Sequence, residues 1–513
     1  MKRIYKTLLS SLAMTTLVAA CANEDTNQTA GNAVGNTAQE VTTTFTSTAG
    51  TRTTMEHVQN GPGKFFWEAG DQIWVDNGTT RVASTTSNIT GKTNHARFQL
   101  SGSYLNSTYP VYYTGQGSTS GDEVEIKATQ AQTAANSSAH LGASGDCGYA
   151  LAQKKTNGFY FALEHQATYL YLLPRSENAL IRQFVIEKVT VTADKDIAGK
   201  FPLTATGLAT TPSSNGSKTI TLTVPQLPLR AVATPEDNAL YIVMAPQTTA
   251  LNVVYHLRNI GTGMTGTVTK NFASATYLPN TVYDLTSNLG RDYSREVTPY
   301  MWDAKKWYYD GQTPPYTPAK APQNKTTDPL RWFNDEFTEN GPCAVAQNSC
   351  RDCPNQFEMA WYLIFGPYWD AEELWTANNK VYKGVIRLKK WAHLVADHGA
   401  SSTAIPTTLP PSSSCKDQQA FFNLTDHCVM ANNFSVSTGI PTPTEMTKYF
   451  ALPAGSDESQ ATYWTSTGTG VLNGYKPYPL APYLGIMGST MFMGNYNYIG
   501  RARTEPYRAV KFE

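Results

Sequence analysis

The chain has 513 residues, and its 40 lysines and arginines balance 40 aspartates and glutamates, so the formal charge at neutral pH is zero. No basic run appears, which argues against nucleic acid as a partner, because that binding rests on neutralising phosphates. The length suits two to four domains.

Lys2, Arg3 and Lys6 make a short positive start, and the apolar or small residues 8–20 after them fall short of the roughly 20 needed to cross a bilayer. Residues 1–20 therefore read as a secretory signal. Leu17-Val18-Ala19-Ala20-Cys21 resembles a bacterial lipobox. The resemblance implies cleavage before Cys21 and acylation there; several acyl chains would give durable anchoring. The alternative is an ordinary signal in which Cys21 is incidental. No other segment of the sequence is apolar and long enough to span a membrane. Residues 22–40 are rich in Asn, Thr, Gly and Ala with almost no large apolar side chain, the composition of a flexible linker.

From residue 41 to about 292 the chain alternates short β-branched or alternating runs with turn residues: "VTTTFTSTAG", "DQIWVDNG", "YPVYYTG", "FYFALEHQATYLYLL", "FVIEKVTVTA", "KTITLTVPQL", "ALYIVMAP", "LNVVYHLRNI", "VTKNFASATYL" and "TVYDLTSNL". Each run is bounded by Gly, Pro, Asn, Asp or Ser, as strands of β-sandwiches are. Two sandwiches are expected, divided near "QKKTNG" (153–158). Composition shifts after residue 292, where eight of the ten tryptophans and five of the seven cysteines lie. "FEMAWYLIFG" (357–366) and "PTEMTKYFA" (443–451) read as helical, so 293–513 is expected to be a separate α+β domain. Glu372 and Glu373 read as a solvated helix face.

At "TRTTMEHVQNGPGKFFWEAGDQIWVDNG" (51–78) the sequence resembles the fimbrillins, the subunits of type V pili of Gram-negative anaerobes. The likeness rests on "TRT", on the turn "WEAGDQI" (67–73) and on the lipobox. Further blocks, "FALEHQATYLYLLPRSE", "IEKVTVTAD", "ALYIVMAPQTT" and "FASATYLPNTVYDLTSNL", resemble the second sandwich of that family. Together the blocks cover about half the chain. The resemblance implies a mainly β fold with two tandem transthyretin-like, Greek-key β-sandwich domains, at 53–155 and 156–292. It also implies an outer-membrane lipoprotein precursor, cut by a protease between Arg52 and Thr53 and then placed in a surface fimbrium. Residues 21–52 would be linker and removable first strand, the Thr-rich segment 41–48 being that strand. A strand from another pilus subunit would then fill the gap, since an opened sandwich offers unpaired ladders and an apolar slot. A solvated Arg52 in a strand or loop is the plainer alternative.

"TGIPTPTEMTKYFALPAG", "ATYWTSTGT" and "RARTEPYRAVKFE" resemble the C-type-lectin-like domains appended to some fimbrillins. The resemblance implies a lectin-like domain over 293–513 whose final strand, with Val510 and Phe512 facing inward, is core. Such a subunit accepts a strand without giving one, which suits an adhesin at the tip of the pilus. A glycan-binding or anchoring lipoprotein that does not polymerise is the second reading. The loop "GYKPYPLAPYLGIMGSTMFMGNYNYIG" carries Tyr475, Tyr478, Tyr483, Tyr496, Asn497 and Tyr498, which suit stacking on the sugars or peptides of a host or bacterial receptor. They equally suit a loop that covers the core. The calcium-binding triplets of calcium-dependent lectins are absent, so no metal site is assigned.

Cys343, Cys350 and Cys353 cluster in "CAVAQNSCRDC", and Cys415 and Cys428 follow. Outside the cytoplasm they suit a disulfide framework; free thiols and a metal site are the alternatives. The six cysteines other than Cys21 allow 15 pairings, and none is chosen. "GTGMTG" (261–266) matches the dinucleotide fingerprint, but β-branched residues follow where a helix is needed, so a hairpin turn is expected and no cofactor is assigned. No catalytic constellation is assigned either, and the chain does not read as an enzyme.

Overall fold

A computed structural model describes residues 41–48, 54–334, 344–398, 436–453, 461–468, 481, 483–494 and 507–513. The elements below all lie in Thr42–Glu513, one compact unit of the chain. Strands dominate it, arranged in several sheets.

The first sheet closes on itself. Its strands follow one another in the order Arg81–Ala83, Trp74–Asp76, Thr108–Tyr113, Gly148–Lys155, Gly158–Phe161, Thr42–Ser47, Arg97–Ser101 and Thr86–Ser87. The two end members are halves of one segment. Ser84 N–H still bonds Ile73 O, at 2.8 Å, and Thr85 N–H already bonds Gln99 O, also at 2.8 Å. The segment thus passes from one partner strand to another and joins the two ends of the strand order into a ring. Alternation along Arg97–Ser101 and its neighbours turns Phe45, Trp67, Ile73, Val75, Phe98 and Val111 into a shared interior.

A second body has a larger core. Thr219–Pro228, Phe184–Ala193, Gln247–Asn259 and Thr265–Tyr277 pair antiparallel in one sheet; Leu240–Met244, Thr168–Arg175 and Thr281–Asn288 form a mixed sheet in which the last two run parallel; both contribute to a single cluster. The strand Thr168–Arg175 is buried on both faces, which explains its unbroken apolar run. Tyr169 and Tyr171 point away from Leu170 and Leu172 and meet the rings of Phe65 and His57, from a hairpin formed by Thr54–Glu56 and Lys64–Phe66. Residues on either side of 156 are shared between the bodies. Glu123–Ile126 pairs with Ala198–Thr204, and Thr129–Ala131 runs parallel to Thr219–Pro228. "GTGMTG" is the expected hairpin turn, with Asn259 Oδ1 accepting from Gly261 and Thr262 N–H, each at 2.9 Å.

The last part joins the sheet of Thr265–Tyr277 through a parallel pairing of Thr267 with Glu373 and through Asn252 and Asn271, whose Nδ2 groups donate to Pro441 O at 3.0 Å and Pro443 O at 2.8 Å. "FEMAWYLIFG" is helical over Gln356–Ile364, as expected. In "PTEMTKYFA" only Pro443–Met446 is helical, because Tyr449–Pro453 is drawn into a ladder with Lys380–Lys389. The closing strand also differs from expectation: the ladder forms at Tyr507–Arg508, and Val510–Glu513 is not strand. Arg508 fixes that position by donating to Pro453 O at 2.9 Å and Tyr463 Oη at 2.8 Å. Beyond it, Phe512 drops into the core against Tyr362, Phe450 and Tyr463.

Glu372 and Glu373 lie on the strand Tyr368–Ala377 rather than on a helix, and Glu373 is half-buried at the junction with the second body. Its Oε2 accepts from Thr269 N–H at 3.0 Å and from Arg387 Nη2 at 3.2 Å, while the same Nη2 lies 3.0 Å from Asp370 Oδ2. One guanidinium therefore serves two carboxylates. Burial pushes the Glu373 carboxyl up to about 7; Arg387 opposes the rise and the charge of Asp370 adds to it. The folded value lies above the ordinary 4.5, so the folded chain holds the extra proton and this group's contribution to stability falls as pH rises from about 4.5 to about 7. Glu373→Gln is expected to flatten that fall. Urea unfolding midpoints at pH 5 and pH 8 should show the variant gaining on the wild type at the higher pH, and parallel behaviour would refute the assignment.

Candidate assembly site around the first strand

"TTTFTS" is β-branched at four of its six positions, and one large apolar residue sits among hydroxyls. It forms the strand Thr42–Ser47, paired on both sides. Thr42–Thr46 runs antiparallel to Arg97–Ser101, in register from Thr42 opposite Ser101 to Thr46 opposite Arg97. Phe45–Ser47 runs parallel to Phe159–Phe161. Period-two alternation sends Phe45 and Ser47 inward and leaves Thr44 and Thr46 half-buried.

Phe45 is fully buried. Its ring stacks on Phe159 at 4.8 Å and 12° and meets the edge of Tyr104 at 5.2 Å. Burying such a side chain contributes about 1.5–3 kcal/mol, before the aromatic geometry is counted. Ser47, also fully buried, makes the polar contact. Its Oγ accepts from Trp67 Nε1–H at 2.8 Å and from Ala96 N–H at 2.9 Å, while its own N–H bonds Ala96 O at 2.8 Å.

Trp67 opens the "WEAGDQI" turn, and the local chemistry of that turn explains its residues. Gly70 takes φ +91°, a conformation that L side chains rarely adopt. Asp71 is buried, and its carboxylate closes the turn by accepting from Glu68 N–H at 2.7 Å and from Tyr113 Oη at 2.9 Å. Ile73 points into the core. The turn thereby fixes the Trp67 indole against Phe98 and Tyr113, with its N–H aimed at the first strand. Across the strand, Gly158 takes φ +117°, and a Cβ there would lie 2.6 Å from Thr44 O. The ring can close around the first strand only if residue 158 has no side chain.

The chain that follows is anchored elsewhere. Met55 N–H donates to Ser138 Oγ at 2.9 Å, His57 Nε2 lies 2.7 Å from Asp284 Oδ1, and Phe65 stacks on His165 at 3.9 Å. Met55 and Phe65 belong to the core of the second body. Arg52 and Thr53, between these two anchorages, lie outside the described residues, as does Cys21.

Of the expected ligand-binding residues, Tyr475, Tyr478, Tyr496, Asn497 and Tyr498 also lie outside the described residues. Tyr483 sits in the strand Tyr483–Met487, buried among Trp302, Trp464 and Tyr507, so its ring is core and not a receptor surface. Cys343, Cys415 and Cys428 are outside the description. Cys350 and Cys353, expected in disulfides, are free and buried in that same aromatic cluster. The Asp303 carboxylate gathers the loop around them, accepting from the N–H groups of Gln347, Asn348 and Cys350, and Asp303 N–H donates to Cys350 Sγ at 3.2 Å. Burial, followed by the hydrogen bond and charge of Cys353, pushes the Cys350 thiol well up, away from the reactive thiolate. Among the described residues no cluster of three His, Cys, Asp or Glu side chains suits a metal, and no helix is long and apolar enough to cross a membrane. The residues that sequence reasoning missed are Phe45, Ser47, Trp67 and Gly158 as one contact set; the lone aromatic in a Thr-rich run was the available signal.

The sequence matches no protein-family model and no curated protein. Among solved structures, the chain is similar to a candidate cell adhesion protein from Bacteroides uniformis ATCC 8492, at 13% identity over 48% of this chain and 94% of that one, with a TM-score of 0.29. It is similar to a fimbrilin from Porphyromonas gingivalis W83, at 10% identity over 42% and 71%, with a TM-score of 0.23. A fimbrial protein from Bacteroides ovatus ATCC 8483 aligns over 92% of this chain and 98% of its own, at 11% identity and a TM-score of 0.22. Likeness at this level carries no argument about function.

Two substitutions test the grip on the first strand. Phe45→Ala should destabilise the ring by about 3–5 kcal/mol, the range for removing a buried phenylalanine, as read by chemical denaturation. Gly158→Ala should raise amide hydrogen exchange over residues 42–47 well above wild type, with protection in the second body unchanged. Wild-type exchange at 42–47 in that variant would show that the ring tolerates a side chain there.

Proposed function

We propose that this chain is a structural and adhesive subunit of a bacterial surface pilus. In this reading it is exported as a lipoprotein acylated at Cys21 and held at the outer membrane. A protease then cuts between Arg52 and Thr53, the strand Thr42–Ser47 leaves, and an extended segment of a neighbouring subunit takes its place. The observation that carries the reading is the position of that strand. It lies in the middle of a closed ring, paired on both sides, and the chain directly after it is anchored to a different core.

The physics of replacement follows from that position. A departing strand leaves the facing ladders of Arg97–Ser101 and Gly158–Phe161 unpaired, empties the Phe45 site and strips Trp67 Nε1–H of its acceptor. Each buried donor left without a partner costs about 1–3 kcal/mol. An added strand restores all of these at once. In this reading the subunit sits at the tip of the filament, and residues 510–513 serve its own core: Phe512 is buried, and Glu513 accepts from Tyr362 Oη at 2.8 Å and from Trp391 N–H. In this reading the first two bodies are the tandem sandwiches of the fimbrillins, and the last is a lectin-like domain that meets a host or bacterial receptor.

Arg52→Ala in the producing cell tests the proposal. The expected result is an uncut, lipid-bearing chain that is absent from sheared filaments, whereas the wild type enters them with Thr53 as its first residue by amino-terminal sequencing. Normal entry of the uncut variant into filaments would refute the proposal.

A further inference from the structure

The site vacated by the first strand is more selective than an apolar slot. Its walls make two unlike demands, two residues apart. At the Phe45 position the ring lies flat on Phe159 and against the edge of Tyr104, a site shaped for a planar side chain. At the Ser47 position one oxygen accepts two hydrogen bonds, from Trp67 Nε1–H and Ala96 N–H, with Ser47, Trp67 and Ala96 all essentially without exposure. An indole N–H is a donor only and has no second role to fall back on. The backbone of an incoming strand cannot serve it, because the N–H at that register is committed to Ala96 O and the ladder fixes where its carbonyls point. Water is no substitute in an interior packed by Phe98, Tyr113 and Phe161. The acceptor must therefore come from a side chain, and the site has room for a small one. The half-buried positions demand less, since the hydrogen bonds of Thr43 Oγ1 to Gly102 O at 2.8 Å and of Thr44 Oγ1 to Gln99 Oε1 at 3.1 Å lie outside the fully buried interior.

We propose that the ring selects its replacement strand by a two-residue key: an aromatic side chain at the Phe45 register, followed two residues later by a serine or threonine hydroxyl at the Ser47 register. The strand runs parallel to Gly158–Phe161 and antiparallel to Arg97–Ser101. The inference rests on the strand-replacement reading above and adds the chemistry of the partner segment. Trp67 acts in it as the specificity-determining residue. A strand with an aliphatic residue at the second position pairs its backbone equally well and still leaves two buried donors unmet.

The full chain carrying a site-specific protease sequence in 49–53 provides the test. After cutting, it is unfolded in urea and refolded in excess fluorescent peptide spanning residues 38–48, and retained peptide is measured by anisotropy and native mass spectrometry. The native peptide and its Ser47→Thr form are expected to be retained. Ser47→Val, which has nearly the shape of threonine and no acceptor, should bind roughly ten- to a hundredfold more weakly, and Phe45→Ala should also lose binding. If the native peptide is retained and Ser47→Val matches it, the key is wrong and strand replacement stands. If the native peptide never enters, strand replacement fails and the key fails with it. The uncut chain gives an independent reading without refolding: Ser47→Val should lower the unfolding midpoint of the ring and Ser47→Thr should restore most of it, and equal midpoints for the two would overturn the proposal.

Discussion

The pairing of Thr42–Ser47 on both of its edges is the constraint on which the first body depends. The strand satisfies two neighbours, so removing it exposes two ladders together. This strand is set apart from the others by its connection. It lies at the start of the ring, and the chain beyond it crosses to another body, so a single break in that crossing frees it from the sheet without cutting any other strand. Its buried contacts are concentrated in one aromatic ring and one serine hydroxyl, set between two short ladders.

The turn "WEAGDQI" links this constraint to the sequence. Its glycine and aspartate shape the loop, and its isoleucine fills the core, roles that many turns fill. The tryptophan differs because its polar atom is aimed at a residue twenty positions earlier in the chain, on the strand. A buried indole needs a partner for its N–H, and here the partner is supplied by the first strand of the ring. The turn and the strand are therefore one functional unit, although they read as separate features along the chain.

Much of the strand content was legible, because alternation and turn residues are local signals. The hairpin at "GTGMTG" and the helix at "FEMAWYLIFG" followed from what stands beside them. Properties that depend on distant pairing were not legible. Nothing local shows that Thr129–Ala131 adds to a sheet whose other strands lie beyond residue 180, or that Glu373, with a second carboxylate beside it in the sequence, sits half-buried at a junction under Arg387. Tyr483 looked like part of a tyrosine-rich binding loop because composition cannot tell an exposed ring from one packed against Trp464. In the candidate site, the Thr-rich strand was visible from its alternation. Its hold on Trp67 was not, since a serine two residues after a phenylalanine carries no mark of what it will meet.

The first strand and the segment around Arg508 and Phe512 are held by different physics. The first strand is attached through a ladder, a mode of binding in which the backbone does most of the work and any extended chain of suitable side chains can substitute. The closing segment is attached through side chains specific to it: Arg508 reaching Pro453 O and Tyr463 Oη, Phe512 among three other rings, and Glu513 on Tyr362. Such a segment cannot be withdrawn without unpacking the core around Tyr362 and Tyr463, and no generic strand would replace it.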